Sequence, residues 1–235
     1  MANPQAQVQV RGFLQAFGYL DRSRDSNDID PEVDEKAALG RFQHFAGLPR
    51  TGEYDADTAN AMQEPRCGVP DVHGVSEFVS SGCRWNKRVI TWRLIGGSED
   101  LPVDRVRQAV RSACAEWDRE MPNNSFREVL GGPADILVRF ARRDHGDGNS
   151  FDGPGRVLAH AYFPPPCGDR LAGDMHFDED ERWTDAYLMQ VALHELGHSL
   201  GLAHSNDPNA VMYPFFRGRS RLEVDDKAAI RTLYP

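Results

Sequence analysis

The chain has 235 residues, a formal net charge of −9 and 40% hydrophobic residues. That length can bury a real core without help from disulfides, and the acidic balance argues against a nucleic-acid binder while supplying carboxylates for hard cations. No apolar run is long enough to span a bilayer, and the opening MANPQAQVQV lacks the charged-then-apolar pattern of a secretory signal.

In chain order, VRGFLQAFGYL places Phe13, Leu14, Phe17 and Leu20 on one helical face. Asp30-Pro31 opens a second predicted helix, with Pro at an early position where its missing N–H costs little. Its apolar side carries Leu39, Phe42 and Phe45, and Gly47 closes it. A third, short helix is expected from near Asp57 to before Pro65, which makes a small three-helix bundle. Between Glu64 and Trp85 the pattern dissolves into Pro, Gly, Ser and isolated polar residues, predicting an exposed linker of the kind proteases nick. RVITWRLI then alternates as a strand, Val103 to Trp117 reads as an amphipathic helix, and ADILVRFA as another strand. A Gly- and Asp-rich region over 144–185 follows, interrupted by a short strand at LAHAYF. Helices are predicted from about Ala186 to Leu200 and near Asp225 to Leu233. The four cysteines, Cys67, Cys83, Cys114 and Cys167, are too widely and irregularly spaced for a disulfide framework or a zinc ribbon. If Cys67 has a separate role, at most one internal bridge can form.

The stretch His194 to His204 reads HELGHSLGLAH. On a helix, His194 and His198 stand at i and i+4, so both imidazoles leave one face. Glu195 sits beside them as a candidate general base for an attacking water. A bare HExxH arises often by chance; the extension to HExxHxxGxxH is far rarer, and geometry accounts for it. Were the helix to continue, His204 would lie about 9 Å along the axis from His198, beyond the reach of one ion with bonds of roughly 2 Å. The chain must turn back, and Gly201 can adopt the positive φ of a helix end. Met212 follows in AVMYP; alone it would be ordinary core.

With these motifs the chain resembles the matrix metalloproteinases (matrixins) of the metzincin clan. PRCGVPD at 65–71 matches the family's cysteine switch, and HGDGNSFDGPG, LAHAYFPP, GDMHFDEDERWT and the zinc motif follow in the family's order. The resemblance implies an α+β chain. A three-helix propeptide bundle over 1–64, related to peptidoglycan-binding folds, precedes a switch segment and activation linker over 65–85. A metzincin catalytic domain over 86–235 then has a twisted, mostly parallel five-stranded sheet and three helices. Pro235 falls where that domain would end, so the chain is expected to be a minimal member or a truncated one.

The implied function is that of a latent, secreted zinc endopeptidase that hydrolyses internal peptide bonds of extracellular proteins. His194, His198 and His204 would hold the catalytic zinc, Cys67 would take its fourth position, and Met212 would form the methionine turn beneath. Arg66 and Asp71 would pin the switch segment in the cleft. A second, structural zinc would use His145, Asp147, His160 and His176. Calcium would bind through Asp152, Asp178 and Glu181 with the carbonyls of Gly153, Gly155 and Val157, and a second calcium through Asp135 and Asp174 with carbonyls of Arg170 and Ala172. Leu158 and Ala159 would pair with an extended substrate, Tyr213 and Pro214 would wall the S1′ pocket, and Gln190 would restrict its depth. Activation would require cleavage between His73 and Trp85, after which Asp225 or Asp226 could receive the new ammonium. The expected partners are protein or peptide substrates and proteinaceous metalloprotease inhibitors, with no nucleic acid, no transmembrane segment and a monomeric state. An astacin-like metzincin lacks PRCGVPD and the HFDEDE segment, the intact Glu195 argues against a catalytically dead scaffold, and a wall-binding module would need exposed aromatics on the N-terminal bundle.

Overall fold

The computed structural model describes residues 4–21, 31–72 and 83–235. These fall into two units, one holding the described residues up to Glu64 together with 69–72, the other holding 65–68 and the chain from Cys83 onward.

Three helices build the first unit: α1 (Pro4–Ala16), α2 (Pro31–Phe45) and α3 (Ala56–Ala61). Leu14, Phe17, Tyr19, Leu20, Leu39 and Phe42 form its small core, with the Phe13 ring edge-on to Phe42 at 5.1 Å. Asp55 caps α3 by accepting from the Thr58 amide at 2.8 Å. Gln43, fully buried, holds the connecting loop: its amide donates to Thr51 Oγ1, Glu53 O and Thr58 Oγ1, and its oxygen accepts from Gly52 N. A buried amide is tolerated because its donors and acceptor are all engaged.

The second unit is a six-stranded sheet in the order β1-β5-β6-β4-β2-β3 with three helices. Its strands are β1 (Arg66–Cys67), β2 (Val89–Ile95), β3 (Ser125–Glu128), β4 (Ile136–Ala141), β5 (Val157–Ala161) and β6 (Met175–Asp178). Every pairing is parallel except β5 with β6. The five strands expected from the family are β2 to β6; the sixth, β1, is Arg66–Cys67. The stretch 64–85 is therefore not an exposed linker where it is described, since Arg66, Cys67, Cys83 and Trp85 are all buried. Paired backbone at Arg66 and Cys67, and the indole of Trp85 donating to Ser199 O at 2.8 Å, are what bury them.

Helix α4 (Val103–Asp118) buries Val106, Ala109, Val110, Ala113, Cys114 and Trp117, the stripe its sequence period demands. It packs along α5 (Asp185–Leu200), and Trp117 Nε1 donates to Leu193 O at 2.9 Å. From Val191 to Leu200 every residue of α5 is buried, because the sheet, α4 and the chain after Gly201 cover it on all sides. Thr184 caps its start and Gly201, at φ 110°, ends it in the left-handed region. The closing helix α6 (Val224–Leu233) begins with a capping box between Glu223 and Asp226. One disulfide joins Cys83 to Cys167 across a sequence separation of 84 residues, with a Cα–Cα distance of 5.6 Å.

Candidate active site

Helix α5 delivers His194 and His198 from one face, and the turn at Gly201 returns His204 to them. Their Nε2 atoms lie 3.2, 3.3 and 3.1 Å apart. His194 Nδ1 donates to Val211 O at 2.6 Å and His198 Nδ1 to Leu202 O at 2.7 Å. A carbonyl can only accept, so in the neutral ring the proton is on Nδ1 and Nε2 carries the lone pair. Lone pairs of this kind at such distances repel unless a cation lies between them. Four tetrahedral bonds of about 2.0–2.1 Å place their donor atoms roughly 3.3 Å apart, so the spacing fits zinc. Cys67 joins the same group, with all ligand atoms within 4.8 Å of one another.

Glu195 is buried beside the cluster, with Cys67 Sγ 3.5 Å from its Oε2 and no partner for its Oε1 among the described residues. Burial pushes its carboxyl up to about 8, with the Cys67 contact opposing. Under the histidines, Met212 lies so close to Gly197 that a Cβ there would fall 2.1 Å from its sulfur. Asp226, a residue whose part was not legible in the sequence, fixes that turn: its carboxylate accepts from Val211 N at 2.9 Å and Met212 N at 3.0 Å. With Glu223 N also bound to it, Asp226 is engaged, whereas exposed Asp225 accepts from Ser205 Oγ.

Strand β1, with Arg66 and Cys67, lies along β5. Arg66 N donates to Arg156 O and Gly68 N to Ala159 O, while Cys67 N donates to Pro214 O on the other side. The Arg66 guanidinium donates from Nε to Cys67 O and sits 5.0 Å over the Phe215 ring. Asp71 belongs to the N-terminal unit, where its carboxylate accepts from Tyr19 Oη at 2.7 Å. A small pocket next to the cluster is lined by Leu158, Gln190, Tyr213, Pro214 and Arg219 among others. Gln190 Nε2 donates to Gly218 O at 3.0 Å, so this residue ties α5 to the loop after Pro214.

A second group converges around Asp147: its Oδ2 lies 2.6 Å from His145 Nε2, 2.9 Å from His160 Nε2 and 2.6 Å from His176 Nδ1. Burial pushes His176 down to about 3 and also lowers His160, so these imidazoles are neutral and able to bind a metal. His145 Nδ1 donates to Arg143 O, which leaves its Nε2 pointing inward as an acceptor.

Three carboxylates, Asp152, Asp178 and Glu181, gather at the turn before β5. Gly153, Gly155 and Val157 donate their amides to Asp178, Glu181 and Asp152 respectively. Asp178 is fully buried and its Oδ2 has no hydrogen-bond partner among the described residues. Burial raises Asp178 and Glu181, and neighbouring acids add repulsion. The other expected calcium set is differently placed. Asp135 accepts from Lys87 Nζ, Thr91 N and Thr91 Oγ1, Asp174 accepts from Leu137 N, and the Arg170 side chain donates to Gly146 O. Ala172 N donates to Asp169 O within the same loop.

Residues 84–235 match the family described as Matrixin. The chain belongs to the matrixins. Residues 5–62 match a peptidoglycan binding domain family, which agrees with the resemblance of the helical unit. Human matrilysin is 43% identical over 236 residues, covering 96% of this chain and 84% of that protein. Mouse matrilysin is 46% identical over 235 residues, with 96% and 85% covered. Horse interstitial collagenase is 47% identical over 204 residues, covering 83% of this matrixin but 42% of the collagenase. As a matrixin the chain is a zinc metalloendopeptidase that uses zinc and calcium, and the two histidine groups fit zinc. No helix among the described residues is long and apolar enough to cross a membrane.

Proposed function

We propose that this chain is the latent, secreted form of a matrixin, cutting internal peptide bonds of extracellular matrix and other extracellular proteins. Residues 1–64 act as the propeptide, 65–85 as switch and activation linker, and 86–235 as the catalytic domain. Zinc held by His194, His198 and His204 would supply a Lewis acid for the scissile carbonyl and the attacking water. Glu195 takes the proton of that water and passes it to the leaving amine. Leu158 and Ala159 hold an extended substrate by main-chain hydrogen bonds, and Tyr213 and Pro214 form one wall of S1′. Gln190 limits that pocket through its bond to the Gly218 carbonyl.

Cys67 keeps the enzyme silent by taking the place the substrate carbonyl needs, with Arg66 and Asp71 as its flanking anchors. Cleavage between His73 and Trp85 removes it; residues 73–82 of that span lie outside the described ones. Asp225 then receives the new ammonium, since Asp226 is occupied with three backbone amides. The Asp147 group takes the structural zinc, and the Asp178 group a calcium with the carbonyls of Gly153, Gly155 and Val157. A second calcium at Asp135 and Asp174 requires the Lys87 ammonium to leave Asp135. The disulfide supports an oxidising, extracellular location.

The observation that carries the reading is the convergence of Cys67 and three histidines, with Glu195 at the sulfur. The test is zinc content together with cleavage of a quenched peptide, before and after treatment with a thiol-reactive mercurial. Latency followed by activity is expected. An activated protein that holds zinc and cleaves nothing sinks the protease reading.

A further inference from the structure

We propose that Arg219 makes the S1′ pocket a receptor for an acidic side chain, so that this enzyme prefers glutamate or aspartate just after the scissile bond. The inference rests on the endopeptidase reading. Arg219 lines the pocket that also contains His194 and Glu195. Its Nε is shielded from solvent and has no hydrogen-bond acceptor among the described residues, while Nη2 donates to the neutral amide oxygen of Asn209 at 3.0 Å. A guanidinium carries five N–H donors, and this one has no carboxylate within ion-pairing distance among the described residues. The cation is thus partly buried and, among the described residues, still without a counter-charge.

Its position is fixed. Gly218, the preceding residue, turns at φ 65°, and its carbonyl is held by Gln190 from the helix that bears the metal ligands. Among the described residues, the only acid lining the pocket is Glu195, which faces the histidine cluster as the general base. Arg217 stands over the Tyr213 ring at 5.3 Å. An apolar side chain entering here leaves the Arg219 guanidinium without a counter-charge. A carboxylate supplies that charge through charge-assisted bonds to the guanidinium. A site built to hydrogen-bond its ligand discriminates strongly against analogues that cannot.

The experiment uses the full chain, zinc-loaded and mercurial-activated, with quenched peptides identical except for Leu, Gln or Glu after the scissile bond. Wild type is expected to give a kcat/KM for Glu about tenfold or more above that for isosteric Gln, shrinking as salt rises. In Arg219→Ala the Glu-to-Leu ratio should fall about tenfold or more, Arg219→Lys should keep part of it, and Arg219→Glu should invert it. Competition by a non-cleavable Glu peptide should weaken in parallel. Cleavage of Leu ahead of Glu, with a salt-independent ratio unchanged in Arg219→Ala, overturns the inference and leaves the endopeptidase intact. No cleavage of any peptide by the zinc-loaded, activated protein would instead sink the underlying reading. The wild-type Glu-to-Gln comparison decides the matter even if a variant does not fold.

Discussion

Replacing Gly201 by alanine should damage this protein even though alanine is the better residue inside a helix. The glycine sits at φ 110°, between two of the three clustered histidines, and an added Cβ would fall 2.0 Å from the carbonyl oxygen of Cys83. Forcing a left-handed backbone on alanine costs about 1–2 kcal/mol. Overpacking against backbone adds about 1–3 kcal/mol. The stiffer unfolded chain returns only about 0.4–1 kcal/mol. A net loss of about 2–4 kcal/mol follows, or a Tm lower by roughly 5–15 °C for a unit of this size. Cys83 cannot retreat, because its sulfur is bonded to Cys167 and Trp85, two residues on, is anchored to Ser199 and Tyr234. Removing the bridge in a Cys83→Ser, Cys167→Ser background should therefore relieve part of the clash, giving a coupling of about 1 kcal/mol. Urea denaturation of the four proteins in this cycle measures it. A Gly201→Ala protein as stable as its parent would refute the steric argument, and an equal loss in both backgrounds would refute the tether.

Glu195→Ala should lower kcat on a quenched peptide by about 10²–10⁴ while atomic absorption finds zinc unchanged, because the carboxylate stands beside the cluster without belonging to it. Cys67→Ser should be active without any thiol reagent; persistent latency would argue that other contacts silence the cleft. Removing the disulfide should cost about 2–5 kcal/mol in denaturant melts. Burial holds Asp118 above its ordinary value of 3.8, with the Phe126 amide opposing. The folded value being the higher, its proton favours the folded state below 3.8, and that advantage is lost as pH rises through the folded value. Asp118→Asn, which can still accept from Phe126 N, should be more stable than the parent at neutral pH and equal to it below pH 3.8 in urea melts.

Periodicity made the long elements legible. The α4 stripe, the alternation of β2 and β4, and the closing Gly47 and Gly201 each reflect a local rule that tertiary packing did not override. Shorter elements were not legible. Strand β6 has four residues, all buried, set in an acidic stretch, and its burial comes from β4 and β5 on either side and not from any alternation of its own. Strand β1 exists because its backbone finds β5, so Pro and Gly around it read as linker. The histidine spacing at 194–204 dictated a turn, and the turn is there. Asp226 shows what such spacing misses: its part in holding Val211 and Met212 depends on two loops meeting, which no short window of sequence encodes. The pairing of Cys83 with Cys167 is hidden for the same reason.

That bridge also bears on how the chain would be processed if it is the latent form proposed above. A cut anywhere in 73–82 leaves Cys83 attached twice, once through the peptide to Arg84 and once through sulfur to the loop before β6. Ragged ends of different lengths would all hang from one fixed point, with Trp85 already seated against the end of α5. On the latent reading proposed above, the mature fold would thereby be insulated from the choice of scissile bond, and activators with unrelated preferences would be interchangeable.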